Sequence, residues 1–315
     1  MIRTQGLRKV FDGVVAIDHL DLEVEEGDVF GFIGPNGAGK TTTMRILCCL
    51  LRPTSGRAFI DEFEVGREPD ATRIRERIGL LPENPGLYTS LSAYENLSFY
   101  ARLYEVPEAT RRERIEHLLR MLDIWDIRDR AVATFSRGMM QKIAIVRALV
   151  HEPKYLFLDE PTASLDPAAV RTVREFILDL KAQGRTIFIN THNLEEASKL
   201  CEHVAIFNRR VLSHGRPSEM AKRIWGARAK IELSSEAEGF VPLISGVQGV
   251  TKVFADGRIL YATIEDPRQA IPKIVGALVS KGAEVLGVEE ERKSLEEIYL
   301  EVVEGSHPDR SPDCS

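Results

Sequence analysis

The stretch Gly34-Pro35-Asn36-Gly37-Ala38-Gly39-Lys40-Thr41 constrains this chain more than any other part of it. It matches G-x-x-x-x-G-K-[ST]. Before it lies a short apolar run, Val29-Phe-Gly-Phe-Ile33, and after it a helical pattern that puts Met44, Leu47, Cys48 and Leu51 on one face. A strand that feeds a helix through such a loop is the context in which this pattern binds phosphate. The glycines let the backbone turn tightly and present N–H groups to phosphate oxygens, and the helix N-terminus adds partial positive charge. Lys40 is placed to reach the β- and γ-phosphates. Thr41, followed by Thr42, is placed to put its hydroxyl on Mg²⁺.

A second element is Tyr155-Leu-Phe-Leu-Asp159-Glu160, an apolar strand ending in two carboxylates. An acidic strand-to-loop turn is common in α/β proteins, but beside a phosphate loop it acquires roles. Asp159 suits the acid that holds Mg²⁺, and Glu160 is then placed to polarise an attacking water. Composition sets the remaining bounds. The chain has 315 residues, with 42 Lys plus Arg against 48 Asp plus Glu, a formal charge of −6. That length exceeds what one hydrophobic core usually fills, so two domains are expected. The acidic balance argues against a nucleic-acid partner, whose affinity would rest on cations neutralising phosphates. No apolar run reaches the ~18 residues that suggest a membrane span, and the first ten residues lack the apolar core of a signal peptide. A cytoplasmic protein is expected. Cys48, Cys49, Cys201 and Cys314 fit no zinc spacing and are assigned no chemistry.

The first two-thirds read as α/β. Residues 155–158 and 186–189 are nearly continuous apolar runs, as in parallel strands buried on both faces, and residues 204–207 form another short run. The N-terminal segment, with Val15, Ile17, Leu20, Leu22 and Val24, reads as antiparallel strands, and residues 92–127 as mainly helical. After Trp225 the pattern changes. Alternation at 230–233, a short helix near 240–244, an Asp256-Gly257 hairpin signal between two strands, a helix carrying Ile271, Ile274, Val275 and Leu278, and a strand near 285–288 give the order β-α-β-β-α-β. A last helix carries Leu295, Ile298, Tyr299 and Val302.

Just upstream of the acidic strand, Thr134-Phe-Ser-Arg-Gly-Met-Met-Gln-Lys142 resembles the signature motif of ABC-type ATPases. Ser136 and Gly138 match central positions of L-S-G-G-Q, while Arg137 replaces a Gly, Met139 the Gln and Phe135 the Leu. Gln141-Lys142 matches the Q-[RK] extension. Ala163-Ser164-Leu165-Asp166 resembles the D-loop, His192 the switch histidine, and Phe11 stands where the family stacks an aromatic on adenine. In Pro82-Glu83-Asn84, Glu83 occupies the place of the family's Mg²⁺-contacting Gln. A carboxylate can still ligate the ion or its water, but adds negative charge beside the phosphates. This change, with the segment Ser294-Leu-Glu-Glu-Ile-Tyr299, is similar to the ABC-2-type exporter branch.

The resemblance spans residues 2–222 and implies an α/β P-loop NTPase cassette: a RecA-like core, an antiparallel β subdomain and a helical subdomain at about 85–150. The implied domains are the cassette at 1–222, a linker at 223–228, a small ferredoxin-like α+β domain at 229–304 and a disordered tail at 305–315. The implied ligands are ATP and Mg²⁺. Nucleotide contacts fall to Phe11, Gly34, Pro35, Asn36, Gly37, Ala38, Gly39, Lys40, Thr41 and Thr42, with Ser136, Gly138 and Asp166. The metal falls to Thr41, Asp159 and Glu83, and catalysis to Glu160, His192 and Lys40. In this family two cassettes close head-to-tail around two nucleotides, so a second copy or a close paralogue is implied. So is a membrane permease, which would place the chain on the inner face of the cell membrane. Residues 83–100, with Leu87, Tyr88, Leu91, Tyr94 and Phe99, are the candidate docking surface for it. The alternative is a soluble, non-transport ABC ATPase acting on ribosomes or DNA. Such proteins commonly carry two cassettes or a long coiled-coil insertion, and neither is visible in the sequence. The basic run at 111–114 is balanced by Glu108, Glu113 and Glu116 and reads as a solvated helix face. A GTPase or kinase-like P-loop enzyme is a further rival, and the signature segment and the absence of an Asn-Lys-x-Asp motif count against it.

Overall fold

The computed structural model describes residues 1–163, 165–291 and 293–305. In chain order the first part runs β1 (Ile2–Phe11), β2 (Val14–Val24), β3 (Val29–Ile33), α1 (Lys40–Leu47), β4 (Ser55–Ile60), β5 (Phe63–Glu64), α2 (Asp70–Arg77), β6 (Ile78–Leu81), α3 (Ala93–Leu103), α4 (Glu108–Met121) and α5 (Arg137–Leu149). It continues with β7 (Tyr155–Asp159), α6 (Pro167–Ala182), β8 (Thr186–Thr191), α7 (Leu194–Leu200), β9 (His203–Asn208) and β10 (Arg210–Gly215). The second part is α8 (Pro217–Trp225), β11 (Ala227–Leu233), α9 (Val241–Ser245), β12 (Val250–Asp256), β13 (Ile259–Ile264), α10 (Pro267–Ser280), β14 (Val285–Glu290) and α11 (Leu295–Glu304).

Two compact units divide the chain at His214/Gly215. In the first, β2-β1-β4-β5 form an antiparallel sheet. The other sheet has the order β10-β9-β3-β8-β7-β6, with parallel pairing among β9, β3, β8, β7 and β6. Every residue of β3, β7 and β8 is buried, which explains their unbroken apolar runs. Phe32 stacks near Phe207 at 4.5 Å, and Phe188 lies 5.6 Å from both Phe30 and Phe157. Met44 and Leu47 of α1 are buried in the same cluster, so the helix after the phosphate loop is anchored by apolar packing. α3, α4 and α5 supply the helical segment. The first is opened by a capping box in which Ser92 and Glu95 satisfy each other's backbone N–H groups.

The second unit has an antiparallel sheet ordered β12-β13-β11-β14. Numbered within the unit, this is 2-3-1-4 with helices after the first and third strands, a ferredoxin-like arrangement. Ile231, Leu260, Ala262, Ile274 and Leu278 fill its core. The unit begins earlier than the linker expected at 223–228, because α8 packs with α11 and β11. Residues 306–315, which hold all but the first residue of the expected tail and include Cys314, lie outside the described residues. No helix among the described residues is long and apolar enough to cross a membrane.

Candidate active site

The phosphate loop leaves the C-terminal end of β3 and enters α1 through Gly39, whose φ is +99°. A Cβ at Gly39 would stand 2.3 Å from the Ala16 carbonyl oxygen, and one at Gly34 would stand 2.0 Å from that of Phe207. The loop is therefore seated between β2 and the end of β9 at a spacing that only glycine permits. The Arg209 N–H donates to the Ala38 carbonyl at 2.9 Å and fixes the loop from the same side. The first turn of α1 carries no acidic side chain, so no side chain of the helix itself competes with an anion for its N–H groups and dipole.

Lys40 is buried, and its Nζ donates to the carbonyls of Gly34 at 2.6 Å and Pro35 at 3.0 Å. Burial lowers its pKa, while Glu160, Asp159 and Glu83 hold it up. Thr41 Oγ1 donates to Asp159 Oδ2 at 2.9 Å, and Asn190 Nδ2 donates to Asp159 Oδ1 at 3.2 Å. Burial raises the Asp159 pKa; those two hydrogen bonds oppose the rise, and the charges of Glu160 and Glu83 add to it. Three carboxylates thus converge beside one buried ammonium, and the deficit of positive charge fits a divalent cation held by Thr41 and Asp159.

Glu160 follows β7 with φ +50° and is held there by its N–H donating to the Asn190 carbonyl at 2.9 Å. Its Oε2 accepts from Thr191 Oγ1 at 3.1 Å. Its Oε1 accepts from the His192 backbone N–H at 3.0 Å and lies 2.6 Å from His192 Nδ1. The carboxylate is therefore oriented from the end of the neighbouring strand β8.

A cavity of 380 Å³ is lined by residues 36–42 together with Ala16, Glu83, Asp159 and Glu160. Gly34 and Pro35 take part through their carbonyls to Lys40. A second cavity of 400 Å³ shares Glu83 and Glu160 and is lined also by Arg137, Gln141 and Ala163. Ser136 caps α5, accepting from the Met139 N–H at 3.2 Å, with Gly138 in the helix's first turn. Asp166 caps α6, accepting from the Ala169 N–H at 2.9 Å. Ser136, Gly138 and Asp166 do not line the phosphate-loop cavity of their own chain, nor does Phe11. Phe11 ends β1 with its ring exposed, and Lys9 Nζ lies 4.7 Å over that ring. Ser164 of the D-loop-like segment lies outside the described residues. Ala16 and Asn190 belong to the site although neither stood out in the sequence. For Asn190 a signal was present, since a side-chain amide inside a fully buried strand needs a partner.

The ABC transporter family matches residues 17–163. A daunorubicin resistance ATP-binding protein of Streptomyces coeruleorubidus is 35% identical over 95% of this chain and 94% of its own. The chain belongs to the ABC transporter ATP-binding family. A bacitracin transport ATP-binding protein of Bacillus licheniformis is 33% identical over 97% of the chain and 98% of its own. Among solved structures, the ATP-binding subunit of an ABC transporter superposes with a TM-score of 0.66 at 30% identity, covering 72% of this chain and 94% of that one. A dimeric bacterial ABC transporter cassette superposes at 0.64 and 25% identity, covering 69% and 98%. The chain is thus an ABC-type ATPase, with the family's parallel core, antiparallel subdomain and helical segment in place.

Proposed function

We propose that this ATPase is the motor subunit of an exporter, working with Mg²⁺, a second cassette and a separate membrane permease on the inner face of the cell membrane. The observation that carries the reading is the placement of Lys40, Thr41, Asp159 and Glu160 around one cavity under the phosphate loop. The loop N–H groups and the α1 N-terminus bind the phosphates. Lys40 exchanges its two carbonyl partners for phosphate oxygens. Thr41 and Asp159 would hold Mg²⁺, which would supply neutralisation of the phosphate charge. Glu160 orients the attacking water and accepts its proton, while His192 keeps the Glu160 carboxylate aimed from one side.

Ser136 and Gly138 lie away from their own phosphate loop, which supports a head-to-tail pair in which each chain's α5 N-terminus caps the partner's nucleotide. Phe11 offers an exposed ring for adenine. Exposed Tyr88 and Phe99 pack edge-on at 5.4 Å, and Arg147 lies 5.0 Å over Tyr100. This aromatic patch follows Glu83 in sequence and suits the permease contact. The relatives named for daunorubicin resistance and bacitracin transport support an outward-moving, drug-like cargo. Phosphate release from ATP by the purified chain, with and without Mg²⁺, tests the chemistry. Lys40→Ala should abolish it, and full activity in that variant would overturn the assignment.

A further inference from the structure

The N-terminal ends of β3 and β9, at the opposite edge of the sheet from the phosphate loop, hold a second group of ligating side chains. Asp28, Glu202 and His203 bring one donor atom each within 4.8 Å of one another. Asp28 is 6% exposed; its Oδ2 lies 2.7 Å from His203 Nδ1, and its Oδ1 is buried without a hydrogen-bond partner among the described residues. Burial raises the Asp28 pKa and the Glu202 charge adds to the rise, while the His203 contact and the Val29 backbone N–H pull it down. A buried carboxylate oxygen that lacks a well-formed hydrogen bond is costly to keep. His203 is half-buried and Glu202 exposed, so the group is open to solvent from one side.

We propose that Asp28, Glu202 and His203 form a binding site for a divalent cation of the zinc class. One imidazole nitrogen with two carboxylate oxygens suits zinc better than Mg²⁺ or Ca²⁺, which prefer oxygen alone. Zinc bonds of about 2.0–2.2 Å require donors on several sides of one point, and a mutual spacing within 4.8 Å allows this after His203 Nδ1 and Asp28 Oδ2 part slightly. The ion balances the Asp28 and Glu202 carboxylates, Lys181 giving up part of its ion pair with Glu202. Three protein ligands leave a position for water. The ion ties the start of β3 to the start of β9. At their other ends β3 runs into Gly34, and β9 carries the Phe207 carbonyl that Gly34 faces. The clamp therefore stiffens the seat of the phosphate loop without touching nucleotide.

The test uses the full chain stripped with a chelator and titrated with zinc chloride in a calorimeter, without nucleotide, with bound metal counted by atomic emission. One zinc per chain is expected, with a rise in melting temperature. Glu202→Gln and His203→Gln should each weaken binding by more than about tenfold, the least that loss of even a ligand's supporting partner causes. His192→Ala removes the imidazole of a separate carboxylate–histidine pair, that with Glu160, and should leave zinc binding unchanged. Glu202 is exposed, so its variant should fold even where the His203 variant does not. No zinc uptake, affinity unchanged in Glu202→Gln, or loss of binding in His192→Ala would each overturn the proposal.

Discussion

Replacing Gly39 by alanine probes how closely the phosphate loop is seated. The new Cβ would stand 2.3 Å from the Ala16 carbonyl oxygen and 3.3 Å from Phe207 Cε1. Relaxed C···O contacts lie at about 3.3 Å, so either β2 or the loop must give by roughly 1 Å. The loop is the softer partner, since β2 is paired along its length with β1. A shift of roughly 1 Å in a preorganised site costs about 10²-fold, or about 2.7 kcal/mol. Left-handed strain of about 1–2 kcal/mol comes on top, because φ at Gly39 is +99°. Gly37→Ala separates the two effects, since Gly37 has φ +78° but nothing within 4 Å of a Cβ. Calorimetric ATP binding and phosphate release should therefore fall by more than about 100-fold in Gly39→Ala but by no more than about 30-fold in Gly37→Ala, which carries the strain alone. Equal effects in the two variants, or wild-type affinity in Gly39→Ala, would refute the close-seating argument.

Three further outcomes are expected. Glu160→Gln keeps the shape that accepts from His192 N–H and meets Thr191 Oγ1, so ATP should still bind while turnover drops about 10²- to 10⁴-fold; turnover near wild type would remove Glu160 from the proton path. Arg174→Ala strands Glu196, which is buried and ion-paired to Arg174 across α6 and α7. Urea denaturation should show a loss of about 3 kcal/mol, the low end for a buried pair because Arg174 stays 23% exposed; a loss under about 1 kcal/mol would make the pair a surface contact. His151 is held below its ordinary pKa of 6.5 chiefly by burial, with Arg114 and Arg185 adding to the shift and the hydrogen bond to the Ile78 carbonyl opposing it. Below pH 6.5 the unfolded chain then binds more protons than the folded one. Stability should fall from there toward the lowered folded value by up to about 1.4 kcal/mol per pH unit. His151→Gln should remove that part of the slope, and an unchanged slope would assign it to other groups.

What the sequence made legible was local. The phosphate loop is eight consecutive residues, and β7 and β8 announce themselves because burial on both faces forces unbroken apolar runs. The close approach of Ala16 to Gly39 was not legible, because it is set by where β2 ends up in space and alanine is chemically silent. The second unit begins ahead of the change in sequence pattern after Trp225 for a similar reason. α8 carries no change in composition, and only its packing on α11 and β11 assigns it. The roles of Ser136 and Gly138 follow from their resemblance to the signature motif, and within one chain they do not meet the phosphate loop they are proposed to serve.

Subunit mixing tests that last point most directly. A Lys40→Ala chain keeps its signature segment but has no working phosphate loop; a Gly138→Asp chain keeps the loop but has no working signature. Each alone should be inactive. In a two-fold head-to-tail pair each mixed dimer assembles one intact site, so an equal mixture should recover about a quarter of the wild-type phosphate release. A mixture as inactive as its components, or a Gly138→Asp chain fully active alone, would contradict a nucleotide site shared between two chains.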